Sequence, residues 1–192
     1  MTTLFQGSLD GLIESAPLAC LTDICPSDLD AACDLLTSPL GELLEMASAV
    51  RNVAHGNRIT YSPKVFIPLT MLCNDRCGYC TFAKPPARLE SPYLPIDEVL
   101  EIATRGRDAG CHEALFTLGE RPEDRYPAAA DWLASHGYSS TVDYLYHAAN
   151  AVIVETGLLP HLNAGALPHH ELARLRDVSA SQGMMVESLR DD

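Results

Sequence analysis

From Lys64 onward, short apolar runs alternate with amphipathic stretches of helical period, and this alternation limits the possible folds more than any other feature. Lys64–Thr70, His112–Leu118 and Leu158–Asn163 read as strands, with Met184–Glu187 opening a fourth. Between the first two, the spacing predicts a helix over Pro95–Ala109, with Val99, Leu100 and Ala103 inward and Gly110 just past its end. Tyr126–His136 and Ser140–Thr156 read as one broken helix or two consecutive ones, ended by Gly137 and Gly157. Val142, Leu145, Ala149 and Val152 form the apolar stripe of the second. A last helix is predicted over Pro168–Ser181, with Pro168 suited to its first turn. The order β-α-β-α-β-α-β requires a parallel sheet with right-handed crossovers. Pro68 is then unusual, because a proline cannot donate to a central ladder.

A doubly wound open sheet and a (β/α) barrel both satisfy this pattern. Barrels typically run to ~250 residues, so one starting near Lys64 would be only about half present. The last strand also lacks a helix to cover it, and the expectation is a truncated chain. Ahead of the alternation, Leu44, Ala47, Val50 and Ala54 recur at helical spacing up to Gly56, and the proline-bearing stretch Thr2–Leu40 reads as short helices and turns. The expected organisation is a helical N-terminal extension over residues 1–57. Residues 58–192 are then the N-terminal part of a barrel, incomplete at its C-terminus.

Composition removes several classes of function. A hydrophobic content of 47% supports a packed core, and 20% charged residues is too few for a disordered chain. A net charge of −13 argues against a phosphate-tracking surface, which needs clustered Lys and Arg. No run of 18 apolar residues suggests a membrane span, and Met1–Asp10 lacks the features of a signal peptide. A cytoplasmic protein without nucleic-acid or membrane partners is expected.

Seven cysteines, an odd number with no secretion signal, argue against a disulfide framework. Three of them lie in Cys73-Asn-Asp-Arg-Cys77-Gly-Tyr-Cys80, directly after the first strand, where ligands gather in parallel α/β folds. An iron–sulfur cubane normally takes four thiolates, so three leave one iron open to a substrate or cofactor. Structural zinc usually closes with four ligands, and here the fourth could only be Cys111 or a histidine, with no second C-x₂-C pair. Three unligated core cysteines are a third reading. Cys20, Cys25 and Cys33 lack the spacing for a second cluster, Cys111 reads as a buried apolar residue at the other end of its strand, and His169-His170 reads as a solvated cap.

The cysteine spacing, with Tyr79 before the last thiol, is similar to the signature of the radical S-adenosylmethionine (SAM) superfamily. The resemblance implies a [4Fe–4S] cluster on Cys73, Cys77 and Cys80, whose open iron chelates SAM for reductive cleavage to a 5′-deoxyadenosyl radical. Longer strings resemble the FO synthase family, which makes 7,8-didemethyl-8-hydroxy-5-deazariboflavin, the chromophore of the redox coenzyme factor 420. These are Arg58–Thr70, Thr81–Ala83, Glu113–Glu123, Leu159–Asn163 and Gly183–Glu187, so the likeness spans about residues 41–187.

That likeness is to the half that closes the ring of the adduct between a tyrosine-derived 4-hydroxybenzyl unit and 5-amino-6-(D-ribitylamino)uracil, with loss of ammonia. It implies a lyase, a partner radical SAM subunit or fused second half, and an electron donor such as flavodoxin or ferredoxin. The 192-residue piece alone is expected to be inactive. It further implies that Gly119 and Glu120 meet the amino group of SAM, Tyr79 its adenine and Glu187 its ribose. Asn163 is a candidate for facing cofactor or substrate, with His161 read as alternating with it; no residue is assigned a catalytic role. The alternatives are a radical SAM enzyme on another tyrosine-derived, quinone-pathway or thiazole substrate, and a zinc-stabilised binding module.

Overall fold

The computed structural model describes residues 29–185, so the expectations for residues 2–28 and 186–187 lie outside the described residues. The chain divides into two compact units, up to Tyr61 and from Ser62. In the first, α1 spans Leu29–Thr37 and α2 spans Leu40–His55. Gly56 stops α2, as the sequence predicts, and no side chain of this helix is buried.

The second unit begins with β1 (Lys64–Thr70), followed by α3 (Ile96–Asp108) and β2 (Glu113–Leu118). Two separate helices follow, α4 (Pro127–Ser135) and α5 (Thr141–Thr156), then β3 (Leu159–Asn163), α6 (His169–Leu175) and β4 (Ser181–Gln182). The strands pair in the order β1-β2-β3-β4, and every pairing is parallel. Pro68 sits where the ladder tolerates it, on an edge strand and beside a register shift between Pro68 and Thr70.

Strand alternation sorts the sheet into two faces. Ile67 and Leu69, Ala114 and Phe116, and Leu162 are buried against the helical layer with Val99, Ala103, Leu145, Ala149 and Val152. The other face carries two rows in register, Phe66–Leu115–His161 and Pro68–Thr117–Asn163, none of them fully buried. His161 and Asn163 therefore do not alternate: residues two apart on a strand share a face, and the buried positions between and beside them are Leu162 and Pro160.

The C-terminal elements also differ from expectation. The helix predicted to reach Ser181 stops at Leu175 and tightens into a 3₁₀ turn over Arg176–Val178. The fourth strand forms at Ser181–Gln182, ahead of Met184. Backbone pairing with β3 decides this: the Ala180 N–H donates to Pro160 O (2.9 Å) and the Gly183 N–H to Leu162 O (2.9 Å). A ladder partner distant in sequence leaves no trace in local periodicity.

The start of α5 ties the helical layer together. Ser140 Oγ accepts the Asp143 N–H (3.0 Å), Asp143 Oδ2 accepts the Ser139 N–H (2.9 Å), and Asp143 Oδ1 accepts from Arg174 of α6 (2.5 Å). Desolvation pushes the Asp143 carboxyl up, but the Ser139 N–H and hydroxyl and the Arg174 guanidinium together hold it below the usual carboxylate range. A depressed carboxyl stabilises the fold above its unfolded pKa and loses that contribution as pH falls through the folded value. Acid titration of the wild type should show this loss below about pH 4, and Asp143→Asn should flatten it. Equal acid sensitivity in both proteins, followed by thermal unfolding, would refute the assignment.

Candidate functional site

Three loops meet at the carboxyl ends of β1, β2 and β3, and the chemistry-bearing residues lie on them. The cysteine loop leaves β1 at Thr70, whose hydroxyl donates to Pro92 O (2.7 Å) and accepts the Leu72 N–H (3.1 Å). Leu72 is fully buried, which roots the loop in the core. Its far end returns where the Lys84 N–H donates to Met71 O (2.8 Å), and Phe82 sets its ring edge-on to Phe66 at 6.3 Å. Within this closed neck Cys73 and Cys77 are half-buried and Cys80 is exposed. Tyr79 is 65% exposed, so its ring does not fill the loop's core face.

The loop after β2 is laid directly against the cysteines. The Gly119 N–H donates to Thr70 O (3.1 Å), the Glu120 N–H to Cys73 Sγ (3.3 Å), and the Asn74 N–H to Glu120 O (2.8 Å). A Cβ on Gly119 would lie 1.8 Å from Leu72 O and 2.7 Å from Cys73 Cβ, so only glycine permits this approach. Arg121 takes a left-handed backbone (φ 35°) and bonds Glu171 of α6 (2.5 Å). Four residues on, Arg125 donates to the carbonyls of Cys73, Asn74 and Asp75.

The third loop closes on Glu120. Its Oε2 accepts the Ala166 N–H (3.0 Å), and Gly165 takes a left-handed backbone (φ +80°) so close to Glu120 that a Cβ would sit 2.3 Å from that oxygen. Glu120 thus contacts the loops after β1 and β3 at once. Asn163 ends β3, and Gly183, following β4, faces His161. Glu187 lies outside the described residues. Cys111 is half-buried and packed against the core just before β2, away from these loops. Sequence reasoning missed Arg125, Gly165 and Ala166, because each contact pairs a backbone group of one loop with a side chain of another and no spacing rule marks such a contact.

The donor set suits an iron–sulfur cluster: three thiols in one eight-residue stretch, with a backbone N–H aimed at one sulfur. Among the described residues no group of three His, Cys, Asp or Glu is gathered tightly enough to hold a metal ion. The cysteine loop presents its thiols without drawing them to one point. Among the described residues no helix is long and apolar enough to cross a membrane.

The architecture is that of part of a parallel (β/α) barrel, a fold shared with two solved structures. Methylornithine synthase superposes with a TM-score of 0.61 at 21% identity, over 91% of this chain and 46% of that one. The FeFe-hydrogenase maturase HydG from Carboxydothermus hydrogenoformans gives 0.56 at 23% identity, over 73% and 29%. No protein-family model matches the chain.

In sequence, the chain resembles FO synthases. It is 50% identical to the FO synthase of Nocardia farcinica over 173 residues, 84% of this chain and 20% of that protein. It is also 50% identical to the 7,8-didemethyl-8-hydroxy-5-deazariboflavin synthase of Methanopyrus kandleri over 133 residues, 69% of this chain and 40% of that one. The chain therefore spans between a fifth and two fifths of the length of these curated relatives.

Proposed function

We propose that residues 58–192 form the cluster- and SAM-binding part of an FO synthase, a radical SAM lyase that closes the ring of the 4-hydroxybenzyl–ribitylaminouracil adduct with loss of ammonia. The observation that carries this reading is the joining of the cysteine loop to Gly119-Glu120, through the Cys73 sulfur and the Asn74 N–H, in a chain half identical to FO synthases. Cys73, Cys77 and Cys80 hold the [4Fe–4S] cluster. When bound, cluster and SAM supply the one-electron chemistry that starts the reaction. The electron comes from a flavodoxin- or ferredoxin-like donor, and a partner subunit or fused second half makes the adduct. The strongly acidic chain acts in the cytoplasm.

The protein's own residues orient the cofactor. Glu120 uses one acceptor site on the Ala166 N–H, and the remaining lone pairs of a carboxylate suit the ammonium of SAM. Exposed Tyr79 offers a ring face to adenine, Glu187 meets the ribose, and Gly119 keeps the loops in contact. The test is anaerobic reconstitution with iron, sulfide and SAM. Four irons and four sulfides per chain with measurable SAM binding are expected, whereas stoichiometric zinc instead would replace this reading with a binding module. In the same assay Glu120→Gln, which can still accept from Ala166, should keep its iron and lose about 1.5–3 kcal/mol of SAM affinity. An unchanged dissociation constant would remove Glu120 from the cofactor site.

A further inference from the structure

Resting on the cluster reading above, we propose that Arg125 is the positioning residue that holds the cysteine loop in its ligand-presenting conformation. Its Nη1 donates to three consecutive carbonyl oxygens, those of Cys73 (3.3 Å), Asn74 (3.1 Å) and Asp75 (3.1 Å). Each carbonyl belongs to a rigid peptide plane. Fixing three of them fixes three of the four planes between Cys73 and Cys77, which orients the backbone leaving Cys73 and limits where Cys77 stands to the rotation about the one plane left free. Three carbonyls pointing at one spot repel one another unless a cation stands there, so the loop would not keep this shape by itself.

The guanidinium is placed for this role and not drawn elsewhere. Arg125 follows the 3₁₀ turn Pro122–Asp124, with its N–H on Pro122 O (3.1 Å) and its guanidinium 4.9 Å from the Tyr126 ring centre. Among the described residues it forms no ion pair with a carboxylate, unlike Arg121, which bonds Glu171. The Asn74 N–H on Glu120 O holds the first of these planes from its other side. The loop after β2 thus grips the Cys73–Cys77 backbone through one acceptor and one cation.

The experiment compares the full chain with Arg125→Met and Arg125→Lys, each reconstituted anaerobically. The measurements are iron release to a ferrous chelator, the electron paramagnetic resonance spectrum of the reduced cluster, and the unfolding midpoint of the iron-free chain. Arg125→Met should release iron at least about tenfold faster, the lower end of what outer partners of metal ligands contribute, with a shifted spectrum and a midpoint within about 4 °C of wild type. Arg125→Lys, a cation on a shorter stem, should recover part of the loss. Unchanged iron release and spectrum in Arg125→Met would overturn the role of Arg125 alone, as would a lowered midpoint with no change in release. A wild-type chain that takes up no iron would instead overturn the cluster reading and this role with it.

Discussion

In the full-length protein, replacing Cys73, Cys77 or Cys80 by alanine should abolish cluster assembly and reduce 5′-deoxyadenosine formation to background. Each thiol is one of three donors that a single eight-residue loop supplies, so losing one leaves the proposed cluster two protein ligands. A rescue by Cys111 is barred by distance. It precedes β2, whose six residues at about 3.3 Å each put it roughly 20 Å from the loops at the strand's other end. Cys111→Ala should accordingly keep its iron and lose about 1 kcal/mol of packing energy. Iron and sulfide assays, with chromatography of 5′-deoxyadenosine, check both expectations. Near-normal product from Cys77→Ala would remove the three-thiol assignment, and loss of iron from Cys111→Ala would mean the wrong set of ligands had been chosen.

Gly119→Ala should be among the most damaging single substitutions in this chain, although it adds one methyl group. The added carbon would lie 1.8 Å from Leu72 O, 2.6 Å from Leu72 C and 2.7 Å from Cys73 Cβ, so backbone must move on one side or the other. Leu72 is fully buried and cannot yield outward. The expected cost is about 3 kcal/mol, the upper part of the overpacking range, or a fall in midpoint of roughly 6–12 °C. Separation of the two loops should also break the Glu120 N–H bond to Cys73 Sγ and lower iron content. Gly78→Ala is the control: it lies inside the cysteine loop itself, yet its Cβ would meet nothing within 4 Å. It should fold and load like wild type. Equal behaviour of the two variants would show that the close contact at Gly119 does not matter.

Much of the fold is legible in the sequence. β1 lies where the apolar run Lys64–Thr70 predicts it, and α5 buries Val142, Leu145, Ala149 and Val152 as their spacing requires, because amphipathic period records which face meets a core. The proposal of Cys73, Cys77 and Cys80 as ligands draws on the sequence in a similar way: donors from one loop are close in sequence, so their spacing is visible without the fold.

Tertiary structure alone decided what depends on pairing across sequence. Only the β3 ladder places the fourth strand at Ser181–Gln182, because a strand partner is chosen by backbone groups that all residue types share. The meeting of the three loops is of the same kind. The sequence marks Gly119 only through its place beside Glu120; that no side chain fits there shows once Leu72 is found against it. Arg125 carries no signal in the sequence, and its place shows only when three carbonyls from Cys73, Asn74 and Asp75 are found at its tip, because a carbonyl oxygen has no residue type.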